Sequence, residues 1–138
     1  MPVIIAEGRS VPFASPAALT LLKLIAWSER GSAIQRKDAH DLGLLLKTYL
    51  RAGNHDRLYG EHADLLDEAD FDFDAAGARI LGRDLAGIGG SETRVRLEQI
   101  VDRGMDREYG EPLVRSLPLR YEEARRLLEA LMRGLREG

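Results

Sequence analysis

The sequence predicts a mainly α fold, five or six helices in a bundle with one or two short strands at the N-terminus, and three observations predict it. Apolar residues recur at helical spacing in successive blocks from Ser15 to Arg136. Caps and breakers stand between those blocks, at Ser15-Pro16, Gly31-Ser32, Gly53-Asn54 and Gly89-Gly90. Ahead of them, Val3-Ile4-Ile5-Ala6 is β-prone, Glu7-Gly8-Arg9-Ser10 is turn-like, and Val11-Pro12-Phe13 suggests a second extended piece. A chain of 138 residues is long enough for one domain with a core and short for two. It therefore reads as a single helical domain, 1–138, with strand segments in 1–13 and helices in 14–138.

Each helix has its own justification. Ser15 caps the first and Pro16 takes its first helical position, where the missing N–H costs nothing. The second starts near Arg36 and stops at Gly53-Asn54, glycine suiting the left-handed C-terminal position. A third, polar helix runs from His55 to about Asp67, with Leu58, Tyr59, Ala63 and Leu66 as its buried stripe. The fourth, rich in small residues that favour close packing, runs from an Asp74 cap to Ile88. Ser91 caps a fifth helix with Val95, Leu97, Ile100 and Val101 on its apolar side, ending at about Asp106. Residues 107–119, with two prolines and a glycine, connect it to the last helix, Tyr121–Arg136. There Leu127, Leu128, Leu131 and Leu135 face inward, and Arg and Glu crowd the outside.

Composition excludes several classes. Twenty basic against twenty-three acidic residues give a net charge of −3, so no global field favours nucleic acid. Cysteine is absent, which excludes disulfides and thiolate metal sites and fits a reducing compartment. No apolar run reaches the roughly 20 residues of a membrane span. The N-terminus lacks the basic flank and apolar core of a signal peptide, so the expectation is a cytoplasmic protein.

The chemistry concentrates in Ser15–Leu50, read as two helices and a short turn. On a wheel of about 100° per residue, Lys23 and Arg30 return to within roughly 20° of each other, two turns apart. The helix that carries them is apolar nearly all round, which predicts burial, and stacked cations out of water need an anion. On the second helix Asp38 falls on the apolar face, one turn from the start, and Asp41 borders that face. The helix dipole supports such a carboxylate by only about 0.3–1 kcal/mol, too little to bury it alone. Two explanations fit equally on spacing: a buried salt bridge from Asp38 to Lys23 or Arg30, or cations that hold a phosphate chain while a carboxylate orients them or meets a metal.

Lys23-x-x-Ala26-x-x-x-Arg30 followed by Lys37-Asp38-x-x-Asp41-Leu42 resembles the two C-terminal motifs of the AbiEii/AbiGii-type nucleotidyltransferases, abortive-infection toxins of the polymerase-beta-like superfamily. The likeness is strongest over residues 11–50, and Gly77-Ala78 with Leu81-Gly82-Arg83-Asp84 extends it more weakly. It implies that Lys23, Arg30 and Lys37 bind a nucleoside triphosphate and that Asp38 and Asp41 complete the catalytic site. It also implies Mg2+ with the triphosphate, an RNA acceptor, an antitoxin protein or a separate catalytic chain as partner, and N-terminal strands left from a nucleotidyltransferase sheet.

The departure from that pattern is equally informative. The family's Gly-Ser and D-x-D motifs, which hold the metal, precede this segment and are absent, so the chain is expected to bind metal-nucleotide weakly alone and to transfer nothing. It reads as a truncated gene product, a misassigned start, or a piece acting with another chain. Asp70-Phe71-Asp72 imitates D-x-D, with Gly31-Ser32 as its Gly-Ser, but two helices intervene. Asp70 and Asp72 are expected to be solvated loop acids. Arg79 and Arg83 are expected to form a solvated stripe rather than a phosphate grip, and His40, His55 and His62 to lie on the surface without forming a zinc site. The competing function is a non-enzymatic helical interaction module in which the Lys/Arg/Asp cluster is structural.

Overall fold

The computed structural model describes residues 3–6, 9–12, 15–29, 32–67 and 71–138, with the backbone alone described for 3–6, 9–12 and 32–35. Mainly α is the architecture observed. Six α-helices are present among the described residues: α1 (Pro16–Glu29), α2 (Ser32–Thr48), α3 (Phe73–Ile88), α4 (Gly90–Met105), α5 (Pro112–Ser116) and α6 (Tyr121–Glu137). At the N-terminus the backbones of Val3–Ala6 and Arg9–Pro12 run antiparallel, Ile5 opposite Ser10, while Phe13 lies outside the described residues.

The centre of the fold is the pair α3 and α6, with α1, α2, α4 and α5 packed around it. Two glycines set how closely that pair approaches. A Cβ at Gly82 would meet the Leu131 carbonyl and stand 2.9 Å from Gly134 Cα, and a Cβ at Gly134 would meet the Arg79 carbonyl. Around this contact Ile80, Leu81, Leu85, Leu127, Leu131 and Leu135 are fully enclosed. The four leucines expected to face inward on the last helix are all buried.

Several local expectations need correction. Helix α1 is not buried all round: Ala17, Thr20, Leu24 and Trp27 face the core while Leu22 is 47 % exposed. An apolar circumference therefore outruns the surface its neighbours cover. Helix α2 begins at Ser32 rather than near Arg36, since neither glycine nor proline lies between to hold it off. The third helix is two 3-10 segments, His55–Tyr59 and Ala63–Asp67, separated at Gly60. A tighter winding of about three residues per turn rotates the stripe. Leu58, His62 and Leu65 go inward, and Tyr59 is 62 % exposed.

Asp72, not Asp74, caps α3: its backbone is extended and Oδ1 accepts the Ala75 N–H at 2.8 Å. Asp72 also lies 3.4 Å from Arg126, so it is not a free loop acid; Asp70 lies outside the described residues. Helix α4 starts at Gly90, whose φ of +76° forms the corner after α3, one residue ahead of the expected Ser91 cap. Val95, placed on its apolar side by spacing, is 49 % exposed. The connection 107–119 contains the one-turn helix α5.

Candidate functional site

Helices α1 and α2 form the helical hairpin expected of Ser15–Leu50, and their seam carries Lys23, Asp38 and Asp41. Ser15 holds the start of α1 through its Oγ, 3.2 Å from the Ala18 N–H, and Thr20, Leu24 and Trp27 anchor its inner face. That orientation leaves Lys23 at the margin between core and solvent. On α2, Ala39, Leu42 and Leu46 are buried, which turns Asp38 inward with them at 3 % exposure. Asp41, three residues on, sits on the adjoining edge.

The ammonium of Lys23 lies 3.3 Å from Asp38 Oδ1 and 2.8 Å from Asp41 Oδ2. Its hydrogen bond to Asp41 holds the Lys23 pKa above the ordinary lysine value; burial works against this, and Asp38 adds to it. The lysine is therefore a fixed cation. Asp38 Oδ2 is enclosed and has no hydrogen-bond partner among the described residues, whereas the Asp41 and Lys23 side chains remain 37 % and 25 % exposed. The cluster opens outward through Asp41 and Lys23.

Of the five residues singled out in the sequence, three meet. Lys37 is exposed, roughly 100° around α2 from Asp38, and makes no ion pair with either aspartate among the described residues. Arg30 lies outside the described residues, as does Gly31. Among the described residues no three His, Asp or Glu side chains converge as metal ligands. With Asp38 Oδ2 sealed, Asp41 is the carboxylate of this cluster that can reach a metal carried in by a nucleotide. The hairpin thus has no self-sufficient metal site among the described residues.

A second polar cluster, not foreseen in the sequence, ties the 3-10 region to α3 and α6. Arg57 donates to both oxygens of Asp84 at 2.7 Å, to Glu61 at 2.6 Å and to Asn54 at 2.9 Å. The Tyr49 hydroxyl donates to Asp84 at 2.5 Å. Burial pushes the Asp84 carboxyl up, but the bonds from Arg57 and Tyr49 outweigh it and the pKa ends lowered. Burial also raises the Tyr49 phenol.

His62 is enclosed, its Nε2 3.2 Å from Arg57 and its Nδ1 2.9 Å from Arg83. This corrects its expected surface position. Arg83 in turn holds Asp64 and Glu137, and Arg79 also binds Glu137. Side-chain exposures of 12 % and 17 % for Arg79 and Arg83 show a packed ion network where a solvated stripe was expected. The i,i+4 spacing of Arg57 and Glu61 was a readable signal; the partnership with Asp84, twenty-seven residues on, was not.

No helix of the described residues is long and apolar enough to cross a membrane. No protein-family model matches the chain, and no similar curated protein or solved structure was found.

Proposed function

We propose that the chain is the helical part of a nucleotidyltransferase-like protein, binding the phosphates of a metal-nucleoside triphosphate through Lys23 and Arg30 and inactive without a catalytic sheet. One observation carries the reading: Lys23 is oriented by two carboxylates yet stays a quarter exposed, so the cation is presented at the surface rather than sealed in a core pair. In this arrangement Asp38 is the inner carboxylate that fixes the lysine. Asp41 is the outer one that yields when phosphate arrives, or meets the nucleotide's metal. Mg2+ typically keeps one or two carboxylates and the substrate phosphates as ligands, which matches what Asp41 alone offers. Mg2+ held with the nucleotide would supply neutralisation of the phosphate charge.

The remaining metal ligands would come from a Gly-Ser and D-x-D strand on another segment or chain, and the paired N-terminal backbone segments would belong to that sheet. An RNA acceptor and an antitoxin belong to the same reading, as does a cytoplasmic location.

Charge balance favours a second reading. One ammonium between two carboxylates leaves the described cluster at −1, which repels a free triphosphate and suits a purely structural clasp in a non-enzymatic interaction module. Calorimetric titration separates the two. On the nucleotide reading, Mg·ATP binds, ATP with chelator binds far less, and Lys23→Ala or Arg30→Ala abolishes the heat. Absence of binding, together with a large fall in melting temperature for Lys23→Ala, establishes the structural clasp instead.

A further inference from the structure

Between the end of α1, the middle of α4 and α5 lies a cleft of about 430 Å3, lined by Trp27, Arg96, Gln99, Arg103, Pro112 and Ser116. That volume falls within the range of small-molecule sites. Gly104 shapes its floor: a Cβ there would stand 2.5 Å from Leu113 Cβ, so the missing side chain is what lets α5 lie against α4.

The lining combines an indole, a carboxamide, two guanidinium groups and, among the described residues, no carboxylate, on a chain whose net charge is −3. The cleft is thus a local positive spot that reaches the edge of a largely buried indole. Its two arginines differ. Arg96 is held by Glu29. The Arg103 guanidinium lies over the Tyr109 ring, 4.4 Å from its centroid, and has no carboxylate against it among the described residues. A guanidinium placed on an aromatic face keeps its N–H donors for an anion.

We infer that this cleft binds a small planar aromatic anion, its ring meeting the small part of Trp27 that the core leaves uncovered, its anionic group on Arg103 and its polar edge on Gln99. Nucleoside monophosphates and aromatic carboxylates share that chemistry. The inference stands apart from the hairpin reading, because no lining residue belongs to the Lys23 cluster.

Trp27 is the chain's one tryptophan, so its indole N–H gives a single resolved NMR signal from the wall of the cleft. Titrations use adenosine monophosphate, 2-naphthoate, adenosine and inorganic phosphate as separate probes. The expected result is a saturable shift of the indole signal with one or both aromatic anions, weakened about tenfold by Arg103→Gln and unaffected by Lys23→Ala. A shift with the monophosphate alone assigns a nucleotide, a shift with the carboxylate alone assigns an aromatic acid, and a shift with both supports the shared chemistry. The inference is overturned by an indole signal that stays still to millimolar concentrations of both anions. An equal shift with inorganic phosphate or neutral adenosine overturns it too, as does undiminished binding in an Arg103→Gln protein of native circular dichroism.

Discussion

Arg57 grips Asp84 with both nitrogens of its guanidinium fork, 2.7 Å to each carboxylate oxygen, and so fastens the 3-10 segment His55–Tyr59 to the central helix α3. Because Tyr49 also donates to Asp84, one carboxylate holds three parts of the chain. Removing it leaves the Tyr49 phenol without its acceptor and a partly buried guanidinium with Glu61, Asn54 and His62. Asp84→Ala should lower unfolding free energy by about 3 kcal/mol. Replacing both partners by apolar residues, as Arg57→Met with Asp84→Leu, should recover part of that loss. Urea denaturation of the two variants checks it; equal losses in both would show that the pair does little.

The approach of α3 to α6 supplies a sharper contrast between glycines. Gly134→Ala places a methyl against the Arg79 carbonyl, backbone that cannot swing aside. The expected cost is about 1–3 kcal/mol or more, as for other overpacked cores. A methyl at Gly87, on α3, would meet nothing within 4 Å, and Gly87→Ala should be neutral or stabilising by up to about 1 kcal/mol. Melting temperatures that fall equally in both variants would contradict the packing described.

Capping gives a third test. Asp72→Ala removes the acceptor for the Ala75 N–H and the contact with Arg126, and should cost about 0.5–2 kcal/mol. Asp74, inside the first turn, contributes through the helix dipole alone, and Asp74→Ala should cost about 0.3–1 kcal/mol. A reversed order of the two would restore Asp74 as the cap.

His62 makes stability depend on pH. Burial, then the charge of Arg57, lower its pKa from the ordinary value of 6.5; Arg83 adds to this, while Glu61 and Asp84 oppose it. The unfolded chain takes up a proton at His62 as pH falls through about 6.5 and the folded chain resists, so stability declines as pH falls below that point. Glu61, Asp64, Asp84 and Glu137, whose pKa values are lowered, act in the same direction only at lower pH, below their ordinary values. His62→Gln should therefore flatten melting temperature against pH between about 6.5 and 5 and leave the acid limb in place. An unchanged slope would exclude His62 as its source.

What was legible in the sequence follows from the range of each interaction. Leu127, Leu131 and Leu135 declare their buried face by local spacing, and Lys23, Asp38 and Asp41 declare theirs because a charge amid apolar neighbours needs a partner close by. The start of α2 at Ser32 was open to a local reading, since no glycine or proline separates it from Arg36, whereas the 3-10 winding at His55–Asp67 escaped because it is held to α3 by the distant pair Arg57–Asp84. Arg79 and Arg83 read as a solvated stripe until α3 and α6 close on each other and bring Glu137 to both. The cleft at Trp27 is likewise made by tertiary packing, through the missing side chain of Gly104.

The central claim is that Lys23 is a phosphate contact restrained by its own carboxylates, and Asp41→Asn tests it most directly. That change brings the described cluster from −1 to neutral while leaving an oxygen to orient the lysine. Measured by 31P NMR with Mg·ATP, the account predicts a several-fold change of affinity in Asp41→Asn, tighter through release of the lysine or weaker through loss of the metal contact, and no binding in Lys23→Ala. Phosphate resonances that stay unmoved in the native chain and in Asp41→Asn alike, with both proteins folded, would contradict it.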